Sequence, residues 1–429
     1  MKNSRLIQVF EHRKLVIGDN GFTERHWNAL GWYNETHGGA FFSLTPDGVK
    51  FNQYVGVIQV SDLTIEILPK ISQQVQPGDK QKWQRILIEM LKECKWMPIY
   101  AHEKATLSYK SNSILEAYLH IFLHECEKLV KQGLIKKYRS IEKNEAALKG
   151  KLIFSKHARL NLIHKERFYT RHSIFDYENI FNQIILKTLQ LIPIISPSPN
   201  LKDKVYSLLL MFPDLSDISV DHSTFGALVF DRKTERYKDA IQIAQMLLLN
   251  FRPDVSWGHN HVLAILFDMN DLWEEFIFRQ LAKDKPGHWE LKYQNSKQFW
   301  KAINGGYPKS IRPDIVIHNK LTKTTVVLDT KWKLPYRGTP DDADLKQMFV
   351  YNEYWNASTA LLLYPNAVFT DRPAYRGGIF LGRSSGEQPH GCAVIKISPL
   401  NHTGNTLRTM LGKRLWEFLE KKDHDSNIS

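Results

Sequence analysis

Two short apolar segments in the last third of the chain, Asp314–His318 and Thr324–Thr330, are separated by five mainly polar residues. Both segments are rich in β-branched and apolar residues, and this pattern is typical of a β-hairpin. Successive side chains of a strand point to opposite faces, so Asp329 and Lys331 are expected on the same face. Strand pairing places Asp314, at the start of the first strand, near Asp329, at the end of the second. The sequence therefore predicts a hairpin with two carboxylates and one lysine at one end.

These two carboxylates and the lysine have the chemistry needed for metal-dependent cleavage of a phosphodiester. Clustered aspartates repel one another unless a cation lies between them, and hard oxygen ligands with room for water suit Mg²⁺ or Mn²⁺. A bound metal ion lowers the pKa of a water ligand and so generates a nucleophile at neutral pH. A neighbouring lysine can orient that water or stabilise the negative charge that develops on phosphorus. Asp-x-Lys by itself is a common sequence, and a charged surface hairpin is the alternative interpretation.

The segments around the predicted hairpin favour the first interpretation. An amphipathic helix is predicted over Asp268–Leu281, and its Glu274 can supply a further metal ligand. A second helix, after the hairpin, places Gln347 and Tyr351 one turn apart on the same face. The apolar segment Ala360–Tyr364 follows as a candidate buried strand. The order helix, hairpin, helix and strand predicts an α/β/α core with a mixed sheet.

These residues resemble the motif of the PD-(D/E)xK nuclease superfamily, and Gln347 with Tyr351 is similar to the QxxxY element of its RecB-like branch. The segment Tyr54–Ile71 resembles the signature of McrC, the nuclease subunit of McrBC-type modification-dependent restriction systems. Three shorter stretches occur in the order expected for that family: Gln8–Glu11, Leu148–Leu152 and Asp176–Asn179. The resemblance covers the chain from about residue 6 to residue 365.

The resemblance implies a Mg²⁺-dependent endonuclease, with Mn²⁺ as an alternative metal ion, that acts on double-stranded DNA in a methylcytosine-dependent restriction system. The catalytic residues would be Asp314, Asp329, Lys331 and Gln347. The metal ion would be bound by Glu274, Asp314 and Asp329. Cleavage would be hydrolysis without a covalent enzyme intermediate.

The chain contains no Gly-x₄-Gly-Lys-Ser/Thr phosphate-binding loop, so we do not expect it to bind or hydrolyse a nucleotide by itself. The McrC resemblance therefore implies a second chain, an AAA+ GTPase of the McrB type that forms a hexameric ring. This partner would activate cleavage, and its GTP hydrolysis would in turn be stimulated. Two other functions stay open: a stand-alone RecB-like DNA repair nuclease, and a non-catalytic scaffold that stimulates the NTPase.

The length of 429 residues predicts two or three domains. The patterns indicate an α+β multidomain protein with a β-rich region over residues 1–75 that docks to the partner. A mainly helical region follows over residues 76–255, and the PD-(D/E)xK nuclease domain occupies residues 256–429. The segment Phe251–Gly258 is expected to link the last two regions.

Charge and cysteine usage indicate a cytoplasmic protein with a polyanionic partner. The net charge is +13, and basic residues cluster over Lys131–Lys151, as a phosphate-binding surface or as a solvated helix end and loop. No apolar run reaches about 18 uncharged residues, so no membrane span is expected. The odd number of cysteines (Cys94, Cys126 and Cys392) argues against a disulfide framework and for a reducing compartment.

Overall fold

The computed structural model describes residues 5–36, 38–70, 78–98, 113–196, 198–252, 261–335, 339–366, 368–370, 372–381 and 390–426. Over these residues the chain is a mixed α and β protein with sheets of five, six, two, three and three strands. It divides into two compact units, each discontinuous in sequence. One unit comprises residues 1–6, 58–64 and 105–265, and the other comprises residues 7–57, 65–104 and 266–429.

The described chain up to residue 98 contains six strands and two α-helices. Its strands are β1 (Arg5–Phe10), β2 (Lys14–Val16), β3 (Phe42–Thr45), β4 (Gly48–Phe51), β5 (Tyr54–Val60) and β6 (Leu63–Leu68). Its helices are α1 (Glu24–Thr36) and α2 (Asp79–Glu93), with a 3₁₀ turn over Asp19–Gly21. β5 and β6 are buried along almost their whole length, which explains their near-continuous apolar sequences. Ser61, with a φ of 53°, lies in the tight turn predicted between them.

Residues 113–252 contain the expected helices and also a three-stranded sheet that the sequence does not predict. The helices are α3 (Ile114–Lys131), α4 (Phe154–Leu160), α5 (Ile180–Ile195), α6 (Pro199–Leu209), α7 (His222–Gly226) and α8 (Lys238–Asn250), with a 3₁₀ turn over Glu235–Tyr237. The strands are β7 (Lys137–Glu145), β8 (Lys151–Leu152), β9 (Phe168–Asp176) and β10 (Phe251–Arg252). β7, β8 and β9 form an antiparallel sheet within the region predicted to be mainly helical over residues 76–255.

The basic cluster over Lys131–Lys151 therefore includes a strand rather than only a helix end and loop. β7 and β9 are mostly exposed or half-buried, so they lack the apolar alternation by which a half-buried strand is recognised. Arg139 pairs with Asp176 at 2.9 Å across the two strands. Glu142 pairs with both Lys156 and Arg171, at 2.5 and 2.6 Å. Part of the positive charge in and around this sheet is thus neutralised within the chain.

The remaining elements follow residue 261. Their strands are β11 (Val262–Asp268), β12 (Trp289–Tyr293), β13 (Lys297–Trp300), β14 (Lys309–Ile311), β15 (Ile315–Asn319), β16 (Thr325–Thr330), β17 (Thr359–Pro365), β18 (Ala374–Ile379) and β19 (Gly391–Ile397). The helices are α9 (Met269–Lys283), α10 (Asp342–Trp355) and α11 (Leu411–Ser426). The predicted helices, hairpin and strand of this region are all present. Of the predicted linker, Phe251 and Arg252 form β10, and residues 253–258 lie outside the described residues.

A six-stranded mixed sheet in the order β12-β15-β16-β17-β19-β18 organises this part of the chain. β15 and β16 pair antiparallel with Ile315 opposite Leu328, whereas β16, β17 and β19 run parallel. One face of the sheet packs on α10 in a core that includes Val316, Val327, Leu362, Val394, Met348 and Trp355. The intervening residues Ile315, Ile317, Leu328 and Leu363 are also buried, so both faces of the central strands are covered.

The cysteines and the apolar helices can be compared with the expectations from the sequence. Cys94, Cys126 and Cys392 are buried and free, as expected for a chain without a disulfide framework. Within the described ranges, no helix has both the length and the apolar composition needed to cross a bilayer. The three-part domain division stays a prediction, and the compact units group residues 7–57 with residues 266–429.

The Glu11 carboxylate, directly after β1, connects the N-terminal strand to the segment after β16. Its Oε1 accepts hydrogen bonds from Trp332 Nε1 at 2.8 Å and from the backbone N–H of Lys70 at 2.7 Å. The Trp332 ring lies against Trp273 of α9, with the ring centroids 5.3 Å apart. Burial raises the pKa of Glu11 to about 8, although the two hydrogen bonds lower it.

We expect Glu11→Gln to stabilise the protein at pH 8 and to have little effect at pH 5. Glutamine keeps the acceptor for Trp332 and Lys70 but cannot ionise. The pKa of Glu11 lies above its ordinary value of 4.5, so the unfolded chain releases this proton at lower pH than the folded chain. Wild-type stability therefore falls as the pH rises from about 4.5 to 8. Urea unfolding across this range tests the prediction. The exposed Glu24→Gln serves as the control, and identical pH profiles for wild type and Glu11→Gln would contradict it.

Candidate active site

Asp314 and Asp329 lie side by side where β15 begins and β16 ends. Because Ile315 is paired with Leu328, Asp314 comes next to Asp329 in the register of the hairpin. Oδ2 of Asp314 accepts hydrogen bonds from the backbone N–H of Thr330 at 2.6 Å and from Thr330 Oγ1 at 2.9 Å. The structure thus brings the two predicted carboxylates together and fixes the position of one of them.

Lys331 forms an ion pair with Asp329, with Nζ 2.7 Å from Oδ2. The Asp329 side chain is nearly inaccessible to solvent, and burial raises its pKa. The charge of Asp314 raises that pKa further, and the ammonium group of Lys331 lowers it. Burial also raises the pKa of Asp314, against the hydrogen bonds from Thr330, which lower it. Two carboxylates that repel each other and share one ammonium group form an electrostatically favourable position for a cation.

Gln347 and Tyr351 of α10 extend the site through a chain of hydrogen bonds. Lys331 Nζ donates to Gln347 Oε1 at 3.3 Å, and Gln347 Nε2 donates to Tyr351 Oη at 2.7 Å. The Tyr351 hydroxyl in turn donates to the backbone carbonyl of Arg312 at 2.9 Å. The two residues lie on one helical face, as predicted. Their contacts orient the Gln347 amide towards Lys331.

Glu274 of α9 lies near Asp314 but is not joined to the two aspartates. Its Oε1 accepts a hydrogen bond from Gln294 Nε2 at 2.8 Å. Burial raises the pKa of Glu274, and the charge of Asp314 raises it further. Among the side chains that the structure describes, no group of three His, Cys, Asp or Glu is arranged to hold a metal ion. Glu274 is therefore within electrostatic reach of Asp314 without completing a ligand set.

A second carboxylate and lysine, which the predicted site lacks, lie beside these residues. Asp344 Oδ2 accepts a hydrogen bond from the Tyr364 hydroxyl at 3.1 Å and lies 2.8 Å from Lys333 Nζ. Besides burial and Asp314, the charge of Asp344 raises the pKa of Asp329. Helical spacing offered a signal for this residue, because Asp344 precedes Gln347 by three positions in α10.

The fold and these residues define a mixed α and β protein with a buried carboxylate–lysine site at the end of a β-hairpin. The model of the McrBC 5-methylcytosine restriction system component family matches residues 49–365. The chain belongs to this family, and the resemblance based on Tyr54–Ile71 is confirmed. No curated protein matches the chain.

The fold is similar to that of chains in two solved structures from Thermococcus gammatolerans. One is the refined half-complex from the tetradecameric assembly of McrB AAA+ hexamers with bound McrC. A chain of it matches with a TM-score of 0.71 and 19% identity, over 97% of this chain and 99% of that chain. The other is the cryo-EM structure of the McrBC complex, with a TM-score of 0.52 and 20% identity over 66% of this chain and 88% of that chain. At these identities the likeness concerns the fold.

We expect Tyr351→Phe to lower the free energy of unfolding by about 1 kcal/mol, the typical contribution of one hydrogen bond. The substitution removes the hydroxyl that connects Gln347 to the Arg312 carbonyl and keeps the ring. Tyr354→Phe, three residues later in α10, is the matched control because that hydroxyl is more exposed and lies 3.5 Å from its acceptor, the Phe299 carbonyl. Urea unfolding measures both variants. Equal stability of the two would show that the chain of hydrogen bonds contributes little.

Proposed function

We propose that this chain is a Mg²⁺-dependent DNA endonuclease, the nuclease component of a modification-dependent McrBC-type restriction system. The observation that carries the proposal is the pair of carboxylates, the buried Asp329 and the half-buried Asp314, held next to Lys331 at the end of a hairpin. The order of α9, the hairpin, α10 and β17 is consistent with a PD-(D/E)xK core. Family membership supports the restriction setting, with methylcytosine-containing double-stranded DNA as substrate.

Asp314 and Asp329 would hold the metal ion. Mg²⁺ is commonly bound through one or two carboxylates and keeps several waters, so two oxygen-donor side chains fit its requirements. Mn²⁺ accepts similar ligands and is the alternative. Glu274 of α9, which lies within electrostatic reach of Asp314, would be the supporting ligand. When bound, the ion polarises the phosphate and lowers the pKa of a water ligand.

The other residues orient groups and stabilise charge. Lys331 can position the attacking water or stabilise the negative charge that develops on phosphorus. Its ammonium group lies between Asp329 and Gln347, so it has little freedom to leave the site. Gln347, oriented by Tyr351, positions the substrate or a water molecule.

We further propose that the chain acts with an AAA+ GTPase partner of the McrB type, which forms a hexameric ring. The chain has no Walker motif of its own, and a chain of similar fold occurs in an assembly of McrB AAA+ hexamers with bound McrC. We infer that the β-rich N-terminal part contributes to docking, that the partner activates cleavage, and that its GTP hydrolysis is stimulated in return. The system would act in the cytoplasm.

Nicking of methylated plasmid DNA with Mg²⁺ tests the activity. Wild type, Asp329→Asn and the exposed control Asp342→Asn are each assayed with and without the McrB-type partner and GTP. We expect wild type and Asp342→Asn to cut only with partner and GTP, and Asp329→Asn to lose activity by at least about a hundredfold. Cleavage by wild type alone would favour the stand-alone nuclease. Stimulation of GTP hydrolysis by all three proteins without any cleavage would favour the scaffold.

Thermal unfolding tests the metal site independently of activity. We expect Mg²⁺ at about a hundred times its Kd to stabilise wild type by about 2.7 kcal/mol, because a ligand that binds only the folded state stabilises it. Asp329→Asn removes the negative charge of one ligand and should respond little, whereas the exposed Asp342→Asn should respond as wild type does. An equal response of wild type and Asp329→Asn would place the metal ion elsewhere.

A further inference from the structure

The β13–β14 hairpin presents aromatic side chains to solvent next to the candidate site. Phe299 and Trp300 at the end of β13 are 47% and 56% exposed, and Tyr307 in the connection to β14 is 99% exposed. Exposed lysines alternate with them at Lys297, Lys301 and Lys309. Exposed aromatic rings beside lysines are typical of surfaces that contact nucleic acid, and the direction of each side chain decides which of them faces the candidate site.

A β-bulge sets the direction of Phe299. Gln298 is paired with Ser310 and Trp300 with Lys309, so Phe299 is the extra residue of the longer strand. Bulges redirect a side chain and are frequent beside active sites. The Phe299 side chain lines a groove between this hairpin and α10, whereas Trp300 does not.

The groove has a volume of about 730 Å³ and an electropositive, partly aromatic lining. Its lining includes Ser296, Phe299, Arg312, Lys346, Gln347 and Tyr351. None of the described residues that line it is acidic. A cationic groove with an aromatic wall has the chemistry of a site for a phosphate and a base.

The groove is continuous with the candidate active site. Gln347 and Tyr351 line it and belong to the chain of hydrogen bonds that begins at Lys331. The backbone of Arg312 closes that chain, and Arg312 lies two residues before Asp314. A strand whose phosphate is at the carboxylates therefore has its neighbouring nucleotide within reach of the groove.

We infer that this groove binds one nucleotide of the DNA strand that is cut, with the base unstacked from its neighbours. The base stacks on Phe299, and its phosphate contacts Arg312 and Lys346. In an intact duplex both faces of a base are covered by adjacent bases, so Phe299 can stack only on a base that has left the helix. The inference rests on the proposed nuclease function and adds to it the state of the substrate, which is locally unpaired at the cut.

Binding is measured by fluorescence anisotropy with the full chain carrying Asp329→Asn, so that no probe is cleaved. The probes are a fluorescein-labelled single strand, the same sequence as a duplex, and a duplex with a short single-stranded gap. Stacking contributes about 1–3 kcal/mol per base, so Phe299→Ala should weaken binding of the single strand and the gapped duplex about 5- to 150-fold. Trp300→Ala, the matched control outside the groove, should weaken it less than twofold. The exposed position of Phe299 makes misfolding unexpected, and unchanged thermal unfolding verifies this.

Lys346→Ala provides an independent test of the phosphate contact. We expect weaker binding of the single strand and a shallower dependence of affinity on salt concentration, because one counterion fewer is released. Lys309→Ala, on β14 outside the groove, should leave the salt dependence nearly unchanged. In the cleavage-competent chain, Phe299→Ala should raise KM with kcat changed little.

The outcomes separate this inference from the proposed function. Equal affinity of the parent and Phe299→Ala for the single-stranded and gapped probes would overturn the groove and leave the nuclease proposal intact. Failure of the parent to bind any probe up to its solubility limit would overturn the groove as well. Phe299-dependent binding in a chain that never cleaves would support the groove and overturn the nuclease proposal.

Discussion

The candidate site depends on keeping two carboxylates next to each other, one buried and one half-buried. Burial and mutual repulsion disfavour the ionised forms of Asp314 and Asp329, and the fold offsets this with the donors of Thr330 and the ammonium group of Lys331. Thr330 and Lys331 directly follow Asp329 at the end of β16. Thr330 reaches Asp314 only in one pairing of β15 with β16, because a slip of one residue would turn every side chain to the other face. The sheet that fixes this register is therefore a requirement of the site.

The sequence predicts those parts of the site that depend on residues close to one another in the chain. The β15–β16 hairpin spans few residues, and its apolar segments and their polar ends are visible without knowledge of distant contacts. The same holds for Gln347 and Tyr351, which are one helical turn apart. The distance of Glu274 from the aspartates cannot be predicted from the sequence, because it depends on how α9 packs against β16, which no local pattern specifies.

The parts that were missed depend on distant contacts or on weak patterns. Asp344 and Lys333 meet in space because α10 packs on the sheet, although each looks like an ordinary surface charge in the sequence. The contact between Glu11 and Trp332 joins residues 321 positions apart. β7 and β9 went unrecognised because most of their side chains are solvated, so neither face carries an apolar stripe. The last parallel strand, β19, lies beyond residue 365, where the resemblance to the family ends.

The discontinuity of the compact unit that holds the carboxylates determines when the unit can form during synthesis. Residues 7–57 and 65–104 leave the ribosome first, but they share this unit with residues 266–429. At about 5–20 residues per second, they wait on the order of tens of seconds for their partners. The central strand β17 gains its second parallel neighbour only once Ile397 has been added. The nascent chain therefore carries its N-terminal strands without the rest of their unit through most of translation, and any chemistry of the carboxylate–lysine site begins only after that late step.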